Sequence, residues 1–376
     1  MISIQKHLFD IPEDITYLNC AYLSPQLRAV KEAGIKAVAK KSSPWELTAS
    51  DFFTESEKCR ALFAKIMNTD AENVAFIPSV SYGIAVAAAN LPINTGDEIV
   101  VLEEQFPSNY YAWKAAADRA GASIITISKT GEDCTQSVLE AINDRTAVAA
   151  IPNCHWADGT LIDLNAVGSR CRNYGVTLVV DASQSAGVIP IDIKLVQPDF
   201  IIMVGYKWLL GPYSFGYMFV NDKHLNGIPL EYNWMARDRS EDFSNLVNYT
   251  DAYQPGARRF DVGERSNFVL MPMAIAALNQ VYEWGVENIQ KTLSILTDEM
   301  AERAIEFGLS VRNKNHRAPH ILGIQFKDGV PSKLAKSLKR RNIYVSTRGN
   351  SIRVAPYLYN TPGDADRLFQ TIKESF

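Results

Sequence analysis

The chain lacks the features that are typical of membrane, secreted and nucleic-acid-binding proteins. No apolar run approaches the roughly 20 residues that a bilayer-spanning helix needs. The first seven residues, MISIQKH, do not have the basic and then apolar layout of a secretory signal. Lysine and arginine number 38 against 42 aspartate and glutamate residues, a net charge of −4, with no long block of one sign. We therefore expect a cytoplasmic protein with no membrane or nucleic-acid partner.

Cysteine is also scarce and is not arranged for a structural role. The chain has five cysteines, and none of them forms a C-x-x-C pair: Cys20, Cys59, Cys134, Cys154 and Cys171. An odd, scattered set argues against both a disulfide framework and a zinc site. We expect free thiols in a reducing compartment and no bound metal.

The composition is that of a globular protein, and the length suits two joined domains. Hydrophobic residues make up 47% of the 376 positions and charged residues 21%. Between about residues 58 and 220, apolar β-branched runs alternate with amphipathic stretches. The predicted strands are 73–77, 98–102, 123–127, 147–151, 176–180, 200–204 and 216–220, and the predicted helices are 81–89, 110–120, 135–142 and 165–174. This alternation is typical of a mostly parallel sheet with both faces covered.

The second half of the chain has a different pattern. Residues 221–268 show weak periodicity and are predicted to form a long functional connection. Further elements are helices at 272–284, 286–307 and 332–341, strands at 320–326, 343–346 and 351–354, and a last helix from Gly363. We predict an α/β fold with a large domain over 15–260 and a smaller α+β domain made of 1–14 and 261–376.

Two strand ends place ionisable residues in apolar surroundings. Asp181 follows the strand at 176–180, and Lys207 follows the strand at 200–204 and precedes an apolar Trp-Leu-Leu run. A buried carboxylate needs a cationic partner, for which a protonated pyridine nitrogen would serve. A desolvated lysine loses its proton easily, as an amine that forms a Schiff base must. Taken alone, each residue is more often structural, Asp181 as a cap or ion-pair partner and Lys207 as a snorkelling lysine.

Three other strand ends meet the same edge of the sheet, where ligands bind in open parallel sheets. Ser81 stands at the start of a predicted helix, where free N–H groups can hold a phosphate, although an ordinary helix cap is the simpler interpretation. Phe106 could stack on a flat heterocycle or pack in the core. His155 and Trp156 follow the strand at 147–151, and we expect both to face the same crevice.

In their order and spacing, these residues resemble the class V aminotransferase family of fold-type I pyridoxal-phosphate enzymes. The group includes cysteine desulfurases, selenocysteine lyases, kynureninases and isopenicillin N epimerase-like proteins. The similarity runs from Tyr17 to the closing segment SIRVAPYLYNT at 351–361. Its strongest pieces are Asp181-x-x-Gln184, Gly205-Tyr206-Lys207 and that closing segment. The resemblance implies a large domain with a mostly parallel, seven-stranded type of sheet and a homodimer with its active sites at the interface.

The resemblance also implies pyridoxal 5'-phosphate as cofactor and a role for each matching residue. Lys207 would form the Schiff base, and Asp181 would pair with the pyridine nitrogen. Gln184 would bind the ring hydroxyl, and Arg353 would bind the substrate α-carboxylate. The remaining cofactor-binding residues would hold the phosphate or flank the ring: Val80, Ser81, Phe106, His155 and Tyr206.

The chain departs from the desulfurase pattern at three places. Phe106 and Tyr206 stand where desulfurases commonly have histidine, a combination more similar to the epimerase-like branch. No cysteine follows Cys171, so persulfide chemistry through the loop at 346–350 is excluded. The segment at 258–267 does not clearly keep the Gly-Thr that normally reaches the partner subunit's phosphate.

We therefore predict a pyridoxal-phosphate-dependent enzyme that acts on an amino acid, with aminotransferase-like activity first. A C–S lyase or an amino-acid epimerase of the same family is the alternative. The fate of the substrate carbanion depends on side chains in the connection at 221–268 and in the loop at 347–350, which the sequence does not rank. A catalytically silent scaffold would have no reason to keep Lys207, Asp181 and Arg353 together. A nicotinamide-dependent oxidoreductase is disfavoured because no G-x-G-x-x-G follows an early strand.

Overall fold

The computed structural model describes residues 1–129, 131 and 133–375. Its strands are β1 Thr16–Tyr17, β2 Val74–Ile77, β3 Glu98–Leu102, β4 Ser123–Ile127, β5 Thr146–Pro152, β6 Thr177–Asp181, β7 Phe200–Val204, β8 Gly216–Val220, β9 Ser310–Val311, β10 Leu322–Gln325, β11 Ile343–Tyr344, β12 Ser346–Arg348 and β13 Ser351–Val354. Its helices are α1 Arg28–Lys41, α2 Thr54–Met67, α3 Val80–Asn90, α4 Pro107–Ala120, α5 Cys134–Ala141, α6 Leu164–Tyr174, α7 Ile193–Val196, α8 Leu270–Trp284, α9 Val286–Glu306, α10 Ser332–Arg340 and α11 Pro362–Lys373.

The large sheet has seven strands in the order β2-β8-β7-β6-β5-β3-β4. Strand β8 runs antiparallel to both of its neighbours, and the other pairs are parallel. The strands β3, β7 and β8 are buried along their whole length, as expected for apolar runs in a sheet covered on both faces. The predicted mostly parallel sheet is confirmed.

Helices cover the two faces of this sheet with separate hydrophobic cores. On one face, Ile84 of α3 and Trp113 of α4 pack with Val179 and Ile202 of the sheet. On the other face, α2, α6 and α8 pack against the alternate residues of the same strands, including Val180. Because successive side chains of a strand point to opposite faces, each strand contributes to both cores and leaves its carboxyl end for the site.

The smaller sheet is antiparallel, with strand order β12-β13-β10-β9. Its core contains Leu322 and Ile352 from the sheet, with Met300 of α9, Leu334 of α10 and Leu368 of α11. This arrangement agrees with the α+β pattern predicted for the C-terminal part. Strand β1 pairs in parallel with β11 and so joins this part of the protein from the far end of the sequence.

The packing near the N-terminus differs from the predicted domain boundaries. Phe9 and Ile2 pack with the core of the large sheet, although 1–14 were predicted to join the small domain. Leu18 packs in the core of the small sheet, although 15–260 were predicted to be large-domain residues. The segment has no helical or strand periodicity, so its sequence does not indicate which core receives its apolar side chains. The helix α8 also packs on α1 and α2 of the large part.

Two helices next to the site begin earlier than predicted, for identifiable reasons. Helix α4 begins at Pro107, since proline suits the first helical position. Helix α3 begins at Val80, and the hydroxyl of Ser79 caps it by accepting from the Tyr82 N–H at 3.3 Å. In the part of the chain that the structure describes, no helix is long and apolar enough to cross a membrane.

Candidate active site

Two adjoining cavities open where β2, β3, β5, β6 and β7 end. The first cavity has a volume of about 330 Å³ and the second about 440 Å³. Both are lined by Phe106, Trp156, Gln184, Tyr206, Lys207 and Tyr213. The first also reaches Val80, Ser81, Cys154 and Asp181, and the second reaches Tyr22, Arg348 and Arg353. The structure therefore brings every predicted site residue except His155 to one connected space.

Lys207 lies at the junction of the two cavities. Its side chain follows β7 after a close turn, in which a Cβ on Gly205 would lie 2.8 Å from the Phe215 carbonyl oxygen. Lys207 is only 8% exposed, and its amine lies 5.7 Å from the centre of the Phe106 ring. Burial lowers the pKa of Lys207 to about 8, and the charge of Asp181 opposes that shift. The amine is therefore easier to deprotonate than an ordinary lysine.

Asp181 is the last residue of β6 and is 7% exposed. One carboxylate oxygen accepts the Ser183 N–H at 3.0 Å. Among the described residues, no basic group lies within ion-pair distance of this carboxylate. Burial raises the pKa of Asp181, and the more distant charge of Lys207 offsets only part of the effect. A buried carboxylate of this kind is stabilised by a cation brought in from outside.

The first turn of α3 faces the first cavity. The Tyr82 N–H is capped by Ser79, whose hydroxyl lies 2.9 Å from that of Ser81. The N–H groups of Val80 and Ser81 have no acceptor within the helix, since the first turn lacks preceding carbonyls. With the helix dipole, these groups form an environment suited to a phosphate.

Gln184 is fixed by contacts from three parts of the chain. Its side-chain oxygen accepts from the Trp208 indole N–H at 2.9 Å, and its amide nitrogen donates to the Ala21 carbonyl at 3.0 Å. The His320 ring donates from Nε2 to the Gln184 carbonyl at 2.6 Å. Burial lowers the pKa of His320 to about 3, so this imidazole is neutral. The amide nitrogen of Gln184 keeps a second hydrogen for a group in the cavity.

Phe106 and Trp156 form an aromatic wall shared by the two cavities. Their rings meet edge to face, with centres 5.5 Å apart. The Trp156 indole N–H donates to the Glu104 carbonyl at 2.8 Å, which fixes the plane of its ring. Phe106 is 38% exposed at the start of α4. Exposure of such a large apolar face inside a cavity is typical of a surface that stacks on a flat ligand.

His155 does not reach either cavity. Its ring is fully buried, with Nδ1 3.4 Å from both Lys129 Nζ and Asp158 Oδ1 and with Nε2 3.2 Å from the Glu104 carbonyl. The extended backbone after β5 alternates its side chains, so Cys154 and Trp156 face the cavities and His155 faces away. This geometry does not support the predicted direct contact between His155 and the cofactor.

Arg353 lies on β13 and reaches the second cavity. It is 1% exposed, and its guanidinium donates to the Trp156 carbonyl at 2.6 Å and to the Ser346 hydroxyl at 3.3 Å. Its Nε has no hydrogen-bond partner among the described residues. Burial lowers the pKa of Arg353 to about 10, and no carboxylate of the described chain neutralises it. An anion in the second cavity would supply the missing partner.

The sequence did not single out Tyr22, Tyr213 or Arg348 as site residues. Tyr22 belongs to the aperiodic N-terminal segment, and Tyr213 follows the apolar run after Lys207. Arg348 ends the short strand β12. A tyrosine or arginine in such a stretch resembles any surface residue, and only the tertiary structure brings these three beside Lys207.

The first cavity fits pyridoxal phosphate on its own chemistry. Asp181 offers a buried negative charge without an ion pair, Lys207 offers an amine that deprotonates readily, and α3 offers N–H groups for a phosphate. The Asp181 carboxylate suits a protonated pyridine, the Lys207 amine suits an aldehyde, and the N–H groups of α3 suit a phosphate. The volume of about 330 Å³ lies within the usual range for small-ligand sites. In the part of the chain that the structure describes, no cluster of side chains could hold a metal ion.

The fold and this site define a pyridoxal-phosphate enzyme of fold type I. The family model of the class V aminotransferases matches residues 29–368, so the chain belongs to that family. The chain is 28% identical over 343 residues to the uncharacterized aminotransferase YcbU of Bacillus subtilis, covering 91% of this chain and 88% of the relative. It is 25% identical to a kynureninase of Bacillus anthracis, covering 88% and 78%, respectively.

Solved structures show the same fold over the whole chain. A mutant of C-DES with glycine covalently linked to its PLP cofactor has a TM-score of 0.88 at 18% identity, covering 99% of this chain and 100% of that chain. Apo cysteine desulfurase from Thermococcus onnurineus has a TM-score of 0.82 at 17% identity, covering 100% and 98%. The predicted family, fold, enzyme class and cofactor are therefore confirmed, whereas the role of each residue stays a prediction.

Proposed function

We propose that the protein is an aminotransferase-like enzyme in which Lys207 anchors pyridoxal phosphate and Asp181 holds the proton of the pyridine nitrogen. The observation that supports this most strongly is the pairing of Lys207 and Asp181 in the first cavity, both buried and neither engaged in an ion pair. In this proposal the phosphate is bound by Val80 N–H, Ser81 and Tyr206. Phe106 stacks on the ring, and Gln184 donates to its hydroxyl.

Arg353 is proposed to bind the α-carboxylate of the substrate in the second cavity. When bound, pyridoxal phosphate supplies a ring that stabilises negative charge at the substrate α-carbon. Lys207, released from its anchor, takes the α-proton as a general base, for which its lowered pKa suits it. Arg353 and the Phe106–Trp156 wall fix the substrate so that this proton faces the amine.

An aminotransferase is preferred to a desulfurase because the described chain has no thiol placed for persulfide chemistry. The strand–turn–strand segment at 346–350 contains no cysteine. Cys154 lines the first cavity, but burial raises its pKa and keeps it a neutral thiol. Among the relatives, YcbU is named an aminotransferase. A C–S lyase or an epimerase remains the alternative, since either would use the same Lys207 to move the α-proton.

The proposal includes a cytoplasmic homodimer. The five cysteines are free and buried, which suits a reducing compartment. Several large apolar side chains of the connection at 221–268 are exposed, which suits a contact with a second copy of the chain.

The test is an absorbance spectrum of the purified protein beside a Lys207→Ala variant. We expect a visible cofactor band in the wild type that is absent in the variant, because the alanine has no amine to bond the cofactor aldehyde. A panel of amino acids, each with a 2-oxo acid as amino-group acceptor, is then used to distinguish the three reactions. Transamination forms a new amino acid from the acceptor, elimination releases the side-chain substituent, and epimerisation abolishes the optical activity of the substrate. A wild type without a band after addition of pyridoxal phosphate would overturn the proposal.

A further inference from the structure

The second cavity has an unusual charge balance. Apart from Lys207, which bonds the cofactor in the proposed function, its lining contains two cationic side chains, Arg348 and Arg353, and no aspartate or glutamate. Uncompensated positive charge in a partly desolvated space is costly unless an anion enters. The α-carboxylate of an amino acid would neutralise one guanidinium, that of Arg353, and would leave Arg348 without a partner.

Arg348 is held in the cavity without a counter-ion. Its Nη1 donates to the neighbouring Thr347 carbonyl at 2.8 Å, and its buried Nε has no partner among the described residues. The guanidinium lies 5.1 Å from the centre of the Trp156 ring, and such stacking fixes its plane. Burial lowers the pKa of Arg348, as expected for a desolvated cation that no carboxylate pairs with.

The register of the small sheet places the two arginines on one face. Arg353 lies opposite Ser346, and Arg348 lies opposite Ser351. Opposite residues of an antiparallel pair share a face, and diagonal neighbours are about 7–8 Å apart. Trp156 joins the two arginines, since its carbonyl accepts from Arg353 and its ring lies under Arg348. The positive charge of Arg348 also lowers the pKa of Arg353, a repulsion that a ligand with two negative charges would relieve.

We propose that Arg348 forms a second anion subsite and that the substrates are amino acids whose side chain carries a carboxylate. The inference rests on the proposed function, in which Arg353 binds the α-carboxylate. The planar guanidinium of Arg348 can bind the side-chain carboxylate through two parallel N–H bonds. A cavity of about 440 Å³ has room for a small dicarboxylic amino acid between the arginines and Lys207.

The first experiment measures binding without any reaction. Succinate and butyrate have the same number of carbons, but succinate has two carboxylates and butyrate has one. The ratio of their dissociation constants on the holoenzyme therefore measures the contribution of the second carboxylate to binding. We expect succinate to bind at least about 10-fold more tightly than butyrate. In Arg348→Gln this preference falls to about one while butyrate binding is unchanged. Arg340→Gln, which removes an exposed arginine of α10, is the matched control and keeps the preference.

The second experiment compares side-chain acids with their amides as substrates. We expect Arg348→Gln to lower kcat/KM for aspartate and glutamate by about 10- to 100-fold and to change it by less than about 2-fold for asparagine and glutamine. Arg348→Lys keeps the positive charge but loses the planar guanidinium that binds a carboxylate through two N–H groups. This variant should retain part of the preference for acids over amides. The absorbance band that depends on Lys207 stays unchanged in both variants.

These outcomes separate the subsite from the proposed function. Equal binding of succinate and butyrate by the wild type would overturn the subsite even if the cofactor band is present. A preference for neutral or aromatic amino acids, or an equal loss on acids and amides in Arg348→Gln, would also overturn it. If the band is absent, the same two dissociation constants are measured on the purified protein without cofactor. An Arg348-dependent succinate preference there would overturn the proposed function and leave the anion subsite standing.

Discussion

Among the residues that the structure describes, burial without an ion pair distinguishes Lys207 from the equally buried Lys129, and Asp181 from the buried Asp199 and Asp261, all three of which pair with an opposite charge. Lys207 and Asp181 lie at strand ends, where a side chain leaves the sheet but stays enclosed by apolar neighbours. Desolvation acts on both groups in the direction of the neutral form, lowering the pKa of Lys207 and raising that of Asp181. The same burial therefore prepares one residue to act as an amine and leaves the other in need of a cation.

A pH dependence follows from the pKa of Lys207. With a pKa of about 8, about a tenth of the Lys207 amine is neutral at pH 7. For a lysine with the ordinary pKa of 10.5, the neutral fraction at the same pH is roughly three parts in ten thousand. Only the neutral amine can attack the cofactor aldehyde. We expect the rate of band formation in cofactor-free protein to rise about tenfold per pH unit below pH 8 and then to level off. Stopped-flow absorbance between pH 6 and 10 measures this rate. A rate that still rises tenfold per unit between pH 9 and 10 would contradict a lowered pKa.

At the residue scale, the sequence predicts site residues where it also allows the end of a strand to be located. Lys207 and Asp181 were predictable because each follows an apolar strand whose end could be located. His155 also follows a strand, but its side chain faces away from the cavities. This orientation could not be predicted, because a shift of one residue in the position of the turn after β5 reverses the side to which a side chain points. The loop at 347–350 was expected to influence the reaction, but the sequence could not select Arg348 within it, because the importance of Arg348 comes from its contacts with Trp156 and Arg353.

At the element scale, the strands of the large sheet could be predicted because each is a short apolar run between helices. Predicted and observed bounds agree for 98–102, 123–127, 200–204 and 216–220. The two-residue strands β1 and β9 could not be predicted, since so short a segment has no measurable periodicity. The predicted strand at 343–346 is divided between β11, which pairs with β1, and the first residue of β12, which pairs with β13. The antiparallel direction of β8 also has no sequence signal of its own.

A buried charge cluster ties several elements together beneath the site. Asp261 accepts from the Phe76 N–H of β2 at 2.7 Å and pairs with Arg60 of α2 at 2.7 Å and with Arg265 at 3.0 Å. The side chain of Asp261 is fully buried, and so is that of Arg60. Asp261 and Arg265 belong to the segment at 258–267, whose sequence departs from the family pattern. In this structure these two residues connect that segment to the core.

Asp261→Asn tests how much this cluster stabilises the fold. The change removes the negative charge that two buried guanidinium groups share, so we expect the free energy of unfolding to fall by about 3–5 kcal/mol. Urea unfolding at fixed protein concentration measures it. The control is Asp366→Asn, which breaks the exposed 2.8 Å pair with Arg303 and should cost less than about 1 kcal/mol. Equal losses in the two variants would show that the cluster adds no more stability than a surface pair.

At the scale of the whole molecule, the connection at 221–268 exposes apolar surface that a monomer has little reason to keep. Tyr232, Val247 and Tyr249 are largely exposed, and Tyr249 is 96% exposed. The connection is nevertheless well packed beneath, where Trp234 and Phe243 meet Phe52 edge to face or tilted. A rigid surface with exposed aromatic residues is typical of an interface between subunits.

The proposed homodimer can be tested on this surface. Charged replacements cannot be buried without a partner, so we expect the double change Val247→Glu and Tyr249→Glu to raise the dimer dissociation constant at least about 10-fold. Sedimentation velocity over a range of protein concentrations measures the shift. Ile305→Glu places one such charge on an exposed position of α9, and this variant should dimerise as the wild type does. A wild type that sediments as a monomer at micromolar concentration would contradict the proposal.

His320 joins the small and large parts of the molecule and gives its stability a defined acid sensitivity. The ring packs edge to face on Trp208 at 4.3 Å and donates to the Gln184 carbonyl. Its folded pKa of about 3 lies below the ordinary value of 6.5. Between these values the unfolded chain binds a proton that the folded protein does not, so stability is fully present above pH 6.5 and falls as the pH drops towards 3.

His320→Gln should remove this part of the acid sensitivity, because the glutamine amide can donate to the same carbonyl but does not titrate. Between pH 6 and 4 we expect the wild type to lose up to about 1.4 kcal/mol per pH unit more than the variant. Urea unfolding of both proteins at equal concentration, at several pH values in this window, measures the two slopes. His7→Gln, at an exposed position, controls for the loss of any histidine. Parallel slopes for wild type and His320→Gln would mean that the His320 imidazole takes up its proton without leaving the core.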